Sequence, residues 1–131
     1  MTRGRILIID DEEIIIEGFR MKLEAAGYEV VTVLSGKEGI EIAENEIFDI
    51  VYVDLVIPDM RGVEICKRIK KISPKTAVIL ISDLPANIMD ELQDSFFEAG
   101  GRKKILTKPL FGDELVEETE SILKEIKKKF P

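Results

Sequence analysis

Short apolar blocks alternate with amphipathic ones along the chain. Arg5-Ile-Leu-Ile-Ile-Asp10 is a continuous, β-branched run of the kind that suits a strand buried on both faces. Residues 12–26 read as a helix with Ile15, Phe19 and Leu23 four apart on one face, and Gly27 follows as its terminating residue. Glu29–Leu34 is a second strand. Ser35 is an N-cap for a helix over about 37–45 that turns Ile40 and Ala43 inward. The alternation continues with a strand at Ile50–Asp54 and a helix over 62–72 with Ile65, Ile69 and Ile72 inward, closed by Pro74. A strand at Ala77–Ser82 and a helix over 86–99 ending at Gly100-Gly101 come next. A weaker strand at Lys104–Thr107 precedes a last helix over 112–129, ~27 Å long, with Leu115, Thr119, Ile122 and Ile126 on one stripe.

Five strands alternating with five helices predict an α/β domain with a parallel sheet, right-handed crossovers and helices on both faces. In open sheets of this kind ligands bind outside the carboxyl ends of the strands. The first strand ends in Asp10-Asp11, the third in Asp54 and the fourth in Ser82, and the fifth runs into Thr107-Lys108-Pro109. Three carboxylates, a hydroxyl and an amine therefore converge. Two unit charges ~4 Å apart repel by about 4 kcal/mol at an effective dielectric near 20, so the acids call for a cation. Carboxylate oxygens with a backbone carbonyl suit Mg²⁺, which also binds phosphate oxygens. A lysine neutralises a further phosphoryl oxygen, a serine hydroxyl hydrogen-bonds another, and an aspartate can be the nucleophile. Any one of these residues alone reads equally well as a cap or turn residue. The combination at four strand ends carries the reading.

Composition narrows the chemistry. Among 131 residues there is no histidine and one cysteine, which excludes Ser-His-Asp and Cys-His catalysis, His-ligated metals and an internal disulfide. Acids outnumber bases 26 to 19, for a formal charge of −7. With a pI near 4.8 this argues against direct nucleic-acid binding. No apolar run approaches the ~18 residues of a membrane span, and Ile6–Ile9 is too short for a signal peptide. A cytoplasmic location away from the membrane is the default expectation.

The motifs Ile8-Ile-Asp-Asp-Glu12, Val53-Asp-Leu-Val-Ile-Pro-Asp-Met-Arg-Gly62, Ile81-Ser82 and Thr107-Lys-Pro-Leu110 resemble those of receiver domains of two-component response regulators. The resemblance spans about residues 4–125. It implies one receiver domain over 1–131, with 126–131 as helix end or linker stub, and a flavodoxin-like (βα)5 three-layer sandwich of strand order 2-1-3-4-5. It also implies a signalling switch rather than an enzyme. Asp54 would be the phosphoacceptor, and Asp10 and Asp11 would hold Mg²⁺ with Asp54 and the Val56 carbonyl. Ser82 and Lys108 would bind phosphoryl oxygens, and Pro109 would be a cis proline that aims Lys108. The phosphoryl group would come from a sensor histidine kinase or phosphotransfer protein. An output domain or partner would read the face formed by the fourth helix, fifth strand and fifth helix, which is also a candidate homodimer surface. Lacking histidine, the chain cannot be the phosphohistidine donor of such a transfer; the resemblance implies that it would receive the group from a partner or a small-molecule donor.

Several positions depart from the family pattern. Asp83 stands where a small residue is usual, either facing the site or capping the next helix. Ile105 replaces the aromatic switch residue, which leaves open a degenerate receiver acting as a constitutive interaction module. Val56 and Leu84, at the positions that tune hydrolysis, are apolar and cannot orient water. The Ser82–Lys108 stretch is a few residues longer than usual; of Phe96 and Phe97, one is expected in the core and one over the sheet edge. Cys66 is expected to pack as a small hydrophobe, and the run Ile14–Ile16 to have one exposed member. A haloacid-dehalogenase-type phosphatase would need Asp-x-Asp on the first strand, and an FMN carrier a Ser/Thr-rich phosphate loop; neither is present.

Overall fold

The structure, a computed structural model, describes residues 3–83, 86–108, 110 and 113–130, with only the backbone described at 86–89 and 91. The strands are β1 (Arg5–Ile9), β2 (Glu29–Val33), β3 (Ile50–Asp54), β4 (Val56–Ile57), β5 (Met60–Arg61), β6 (Ala77–Ser82) and β7 (Leu106–Thr107). The helices are α1 (Glu13–Ala25), α2 (Gly36–Asn45), α3 (Gly62–Ile72), α4 (Ala86–Glu98) and α5 (Glu114–Lys129). The main sheet runs β2-β1-β3-β6-β7, with every pairing parallel. Counting its five strands alone, this is the expected 2-1-3-4-5 order of the flavodoxin-like fold.

Strand periodicity divides the core into two. Ile6, Ile8, Tyr52, Ile79, Ile81 and Leu106 face α1 and α5. Their neighbours Leu7, Ile9, Val51, Val53, Val78 and Leu80 face α2, α3 and α4. This is the two-per-repeat alternation of a pleated strand covered on both sides. Alongside the helices, Tyr52 OH donates to Thr119 Oγ1 at 2.5 Å, and Thr119 Oγ1 donates to the Leu115 carbonyl at 2.8 Å. The pair thus buries two hydroxyls with partners.

The helix ends follow their local chemistry. Gly27 and Gly100 take φ of +99° and +100°, where a side chain would be strained, and they stop α1 and α4. Ser35 Oγ accepts from Glu38 N at 3.2 Å, capping α2. The same helix end receives a second, distant cap. Asp59 accepts from Gly36 N at 3.0 Å and Lys37 N at 2.9 Å. These two N–H groups hold its carboxyl below the usual range.

Some expectations need correction. Ile16 rather than Ile15 joins Phe19 and Leu23 in the core of α1, and Ile15 is half-buried. On α3, Cys66 is fully buried with Ile65 and Ile69, while Ile72, the last residue of the helix, is exposed. The fifth strand is two residues long, because β7 pairs only Leu106 and Thr107 with Ile81 and Ser82. The hairpin β4–β5 was not foreseen, since its two-residue strands are too short to show alternation. Phe96 is in the core, but Phe97 is 53% exposed and lies beside Lys103 rather than closing the sheet edge. Ile14 is the exposed member of its run, and Cys66 packs as a small hydrophobe. Residues 111 and 112, at the expected start of the last helix, lie outside the described residues.

Candidate functional site

Register places the site. Ile9 pairs with Val53, Asp54 with Ile81, and Ser82 with Thr107. The carboxyl ends of β1, β3, β6 and β7 are therefore level, and Asp10, Asp54, Ser82 and Lys108 meet there. The ladder extends past the strands: Asp10 N donates to the Val33 carbonyl at 3.2 Å and Lys108 N to the Ser82 carbonyl at 2.8 Å. The backbone thus fixes both ends of the future charge cluster.

Asp10, Asp54, Ser82 and Lys108 are all buried, although their side chains are polar or charged. Lys108 compensates part of that cost. Its Nζ lies 2.7 Å from Asp10 Oδ2, 2.9 Å from Glu12 Oε1 and 3.3 Å from Asp54 Oδ2. Asp10 Oδ1 also accepts from Glu12 N at 3.0 Å, and Asp54 Oδ1 accepts a longer bond from Val56 N at 3.4 Å. Burial and the neighbouring Asp10 push the Asp54 carboxyl up to about 6, against the pull of Lys108 and the Val56 N–H. Burial disfavours the Lys108 ammonium, but its bonds to Asp10 and Glu12 outweigh that and raise its pKa above the ordinary lysine value.

Each of Asp10, Asp11, Glu12 and Asp54 offers a carboxylate oxygen, and these oxygens lie within 4.8 Å of one another. Four carboxylates against one ammonium leave a strong negative excess. All the donors are hard oxygens, and Asp11 and Glu12 are exposed, which leaves the cluster open to solvent. This donor set fits a hydrated Mg²⁺. Val56, whose carbonyl was expected to join it, is held in the β4–β5 hairpin opposite Arg61. Close behind Asp54, a Cβ on Gly62 would come within 3.2 Å of the Asp54 carbonyl oxygen and the Leu55 Cα. Glycine is what lets α3 start against the end of β3.

Glu12 went unselected in the sequence. It is the third residue of the acidic run 10–13 that leads into α1, and its bond to Lys108, 96 residues away, and its place in the carboxylate cluster mark it out. Asp83 is exposed and stands apart from the acidic cluster, lining an adjoining groove with Lys108, Phe19 and Leu110. Its reading as a cap falls on the 84–85 junction, which with Leu84 and Pro109 lies outside the described residues. Ile105 is half-buried against the α2–α4 side of the core. Among the described residues no helix is long and apolar enough to cross a membrane.

Comparison with known proteins matches this geometry. The model of the response regulator receiver domain matches residues 6–120. The cell cycle response regulator CtrA of Brucella ovis is 30% identical over 123 residues, covering 94% of this chain and 51% of the relative. The chain therefore spans about half the length of the curated relatives it matches. A CheY-like receiver domain protein from Methanospirillum hungatei superposes with a TM-score of 0.88 at 30% identity, covering 95% of this chain and 97% of the other. The BeF3-activated DrrB receiver domain superposes with a TM-score of 0.81 at 33% identity, covering 95% and 99%. With the strand order, the acidic cluster and the lysine at the end of the last strand already in place, these matches show that the chain belongs to the response regulator receiver domain family.

Proposed function

We propose that the chain is a phosphorylation-dependent switch in which Asp54 accepts a phosphoryl group from the phosphohistidine of a sensor kinase or phosphotransfer protein. The observation that carries this reading is the Asp54 carboxylate, buried at a strand end, 3.3 Å from Lys108 and within the acidic cluster. An Asp54 oxygen attacks phosphorus in line, the P–N bond breaks, and its electron pair returns to the partner's imidazole. As negative charge spreads over the phosphoryl oxygens, Lys108 moves its hydrogen bond from the carboxylate to one of them. The Ser82 hydroxyl donates to another. Both groups are already fixed by the β6–β7 ladder, so little reorganisation is needed.

Asp10 and Asp11, with Asp54 and the Val56 carbonyl, would hold Mg²⁺, which when bound neutralises charge on the transferring group. The BeF3-activated state of a receiver domain 33% identical to this chain supports a phosphoryl site in the same fold. Output through α4, β7 and α5 to a partner or downstream domain belongs to the same reading, as do a homodimer through that face and a cytoplasmic setting. Pro109 as a cis proline aiming Lys108 belongs to it too. Apolar Val56 and Leu84 favour a long-lived acyl phosphate.

The test is intact mass after incubation with acetyl phosphate and Mg²⁺, with Asp54→Ala as control. One phosphoryl adduct, lost in the variant, is the expected result. No adduct at saturating donor, together with no Mg²⁺-dependent binding of beryllofluoride, would make the chain a constitutive interaction module instead.

A further inference from the structure

The opposite end of the sheet carries a feature that phosphoryl transfer does not use. A cavity of about 400 Å³ lies beside Ala77, the first residue of β6, among the C-terminal ends of α3, α4 and α5. Strand β6 rises about 17 Å from Ala77 to Ser82, so this groove and Asp54 sit at opposite ends of the fold. Lys70, Lys75, Arg102, Lys103 and Lys129 line it against a single acid, Glu125. In a chain of formal charge −7, this is a local excess of four positive charges.

Part of that charge has local work. Lys70 Nζ donates to the carbonyls of Pro74 and Thr76 at 2.7 and 2.8 Å, and Arg102 pairs with Glu125 at 2.7 Å. Cations also suit helix C-termini. Neither accounts for the remainder. Among the described residues Lys75 and Lys103 have no carboxylate partner. They lie instead over aromatic faces, Lys75 5.2 Å from the Phe130 ring and Lys103 5.6 Å from the Phe97 ring. Those two rings stand at the groove 44% and 53% exposed. Arg102 Nε is buried with no hydrogen-bond partner among the described residues.

We propose that this groove binds a nucleotide-type anion, with its phosphates on Lys75, Lys103 and Lys129 and its planar base against Phe97 or Phe130. Lysine ammoniums bind phosphate as point charges, exposed aromatic faces stack bases without regard to sequence, and the volume is that of a small-ligand cleft. An acidic peptide would match the charge but would leave the two ring faces unused. The proposal is independent of phosphorylation at Asp54.

The test is an NMR titration of the ¹⁵N-labelled chain with ADP, run in EDTA so that no metal draws the nucleotide to the acidic end. Inorganic pyrophosphate is the arm that carries phosphate without a base. The expected result is saturable shifts at Gly100–Lys103 and Ile126–Phe130, with ADP binding more tightly than pyrophosphate. Paired Phe97→Ser and Phe130→Ser substitutions should weaken ADP about five- to a hundredfold and leave pyrophosphate unchanged. Lys103→Glu with Lys129→Glu should weaken both. All four positions are exposed, and circular dichroism checks that the variants fold. The proposal is overturned by no saturation below about 5 mM ADP, by equal affinity for ADP and pyrophosphate, or by an acidic peptide that binds more tightly than ADP.

Discussion

Asp54→Asn should make this protein more stable. In the wild type, burial and the neighbouring Asp10 displace the Asp54 carboxyl from its ordinary 3.8 up to about 6. The proton is therefore held more tightly in the folded state than in the unfolded one. A raised acid works against folding once it is ionised, so the Asp54 contribution to stability falls as pH rises from about 4 to about 6 and is level above that. Two pH units correspond to about 3 kcal/mol. Asparagine removes the charge but keeps the shape, and its carbonyl oxygen still accepts from Val56 N. The attraction to Lys108 is lost, but that ammonium keeps Asp10 and Glu12 at 2.7 and 2.9 Å. The net expectation is a gain of about 1–3 kcal/mol at pH 7. The assay is urea unfolding of both proteins in EDTA at pH 4, 5, 6 and 7. Their difference should open across that range in favour of the variant. On the proposed reading Mg²⁺ should then stabilise the wild type more than the variant, because the folded cluster would bind it and the variant has lost one of its carboxylates. A variant of equal or lower stability at pH 7 would refute the electrostatic account of the site.

Three further outcomes follow from the same geometry. Lys108→Ala strips the shared cation from buried Asp10 and Asp54, and urea unfolding in EDTA should show a loss of about 3–5 kcal/mol. Gly62→Ala drives a Cβ to within 3.2 Å of the Asp54 carbonyl oxygen, the Leu55 Cα and the Leu80 Cδ1. Because two of these atoms are backbone, it should cost about 1–3 kcal/mol and slow modification by acetyl phosphate, read by intact mass. Asp59→Ala removes the second cap of α2 and should cost about 1 kcal/mol at pH 7. As the Asp59 pKa is lowered in the folded state, its contribution is complete above the unfolded carboxylate pKa and fades as pH falls through the folded one. The variant's deficit should therefore shrink below about pH 4 in acid unfolding curves.

Much of the fold was legible because its parts are local. A strand covered on both faces must be apolar along its buried length, as residues 6–9, 50–53 and 77–81 are, and a helix packed on one side must repeat every three or four residues. The outermost strand was less clear because β7 has only two paired residues, and the β4–β5 hairpin has too few to form a pattern. Ile72 falls on the inward stripe of α3 by spacing, and one of Phe96 and Phe97 was expected over the sheet edge, yet Ile72 and Phe97 sit near helix ends where water reaches them. Asp59 as a cap for α2 was not visible either, since its partners lie 22 and 23 residues away.

The sequence by itself determined the alternation of strands and helices and the residue types at the strand ends. Those follow from periodicity and from where each apolar run stops. From them came the expectation that Asp10, Asp11, Asp54, Ser82 and Lys108 share one end of a parallel sheet. Only the tertiary structure decided how they interact. It gave Lys108 three carboxylates to hold, among them an unselected Glu12, and it set the burial that lifts Asp54 to about 6. It also gathered five cations and two open aromatic rings from three helix ends into one groove. The reason is that charge interactions and desolvation depend on distance and on solvent exclusion between residues far apart in the chain, and a linear pattern holds neither quantity.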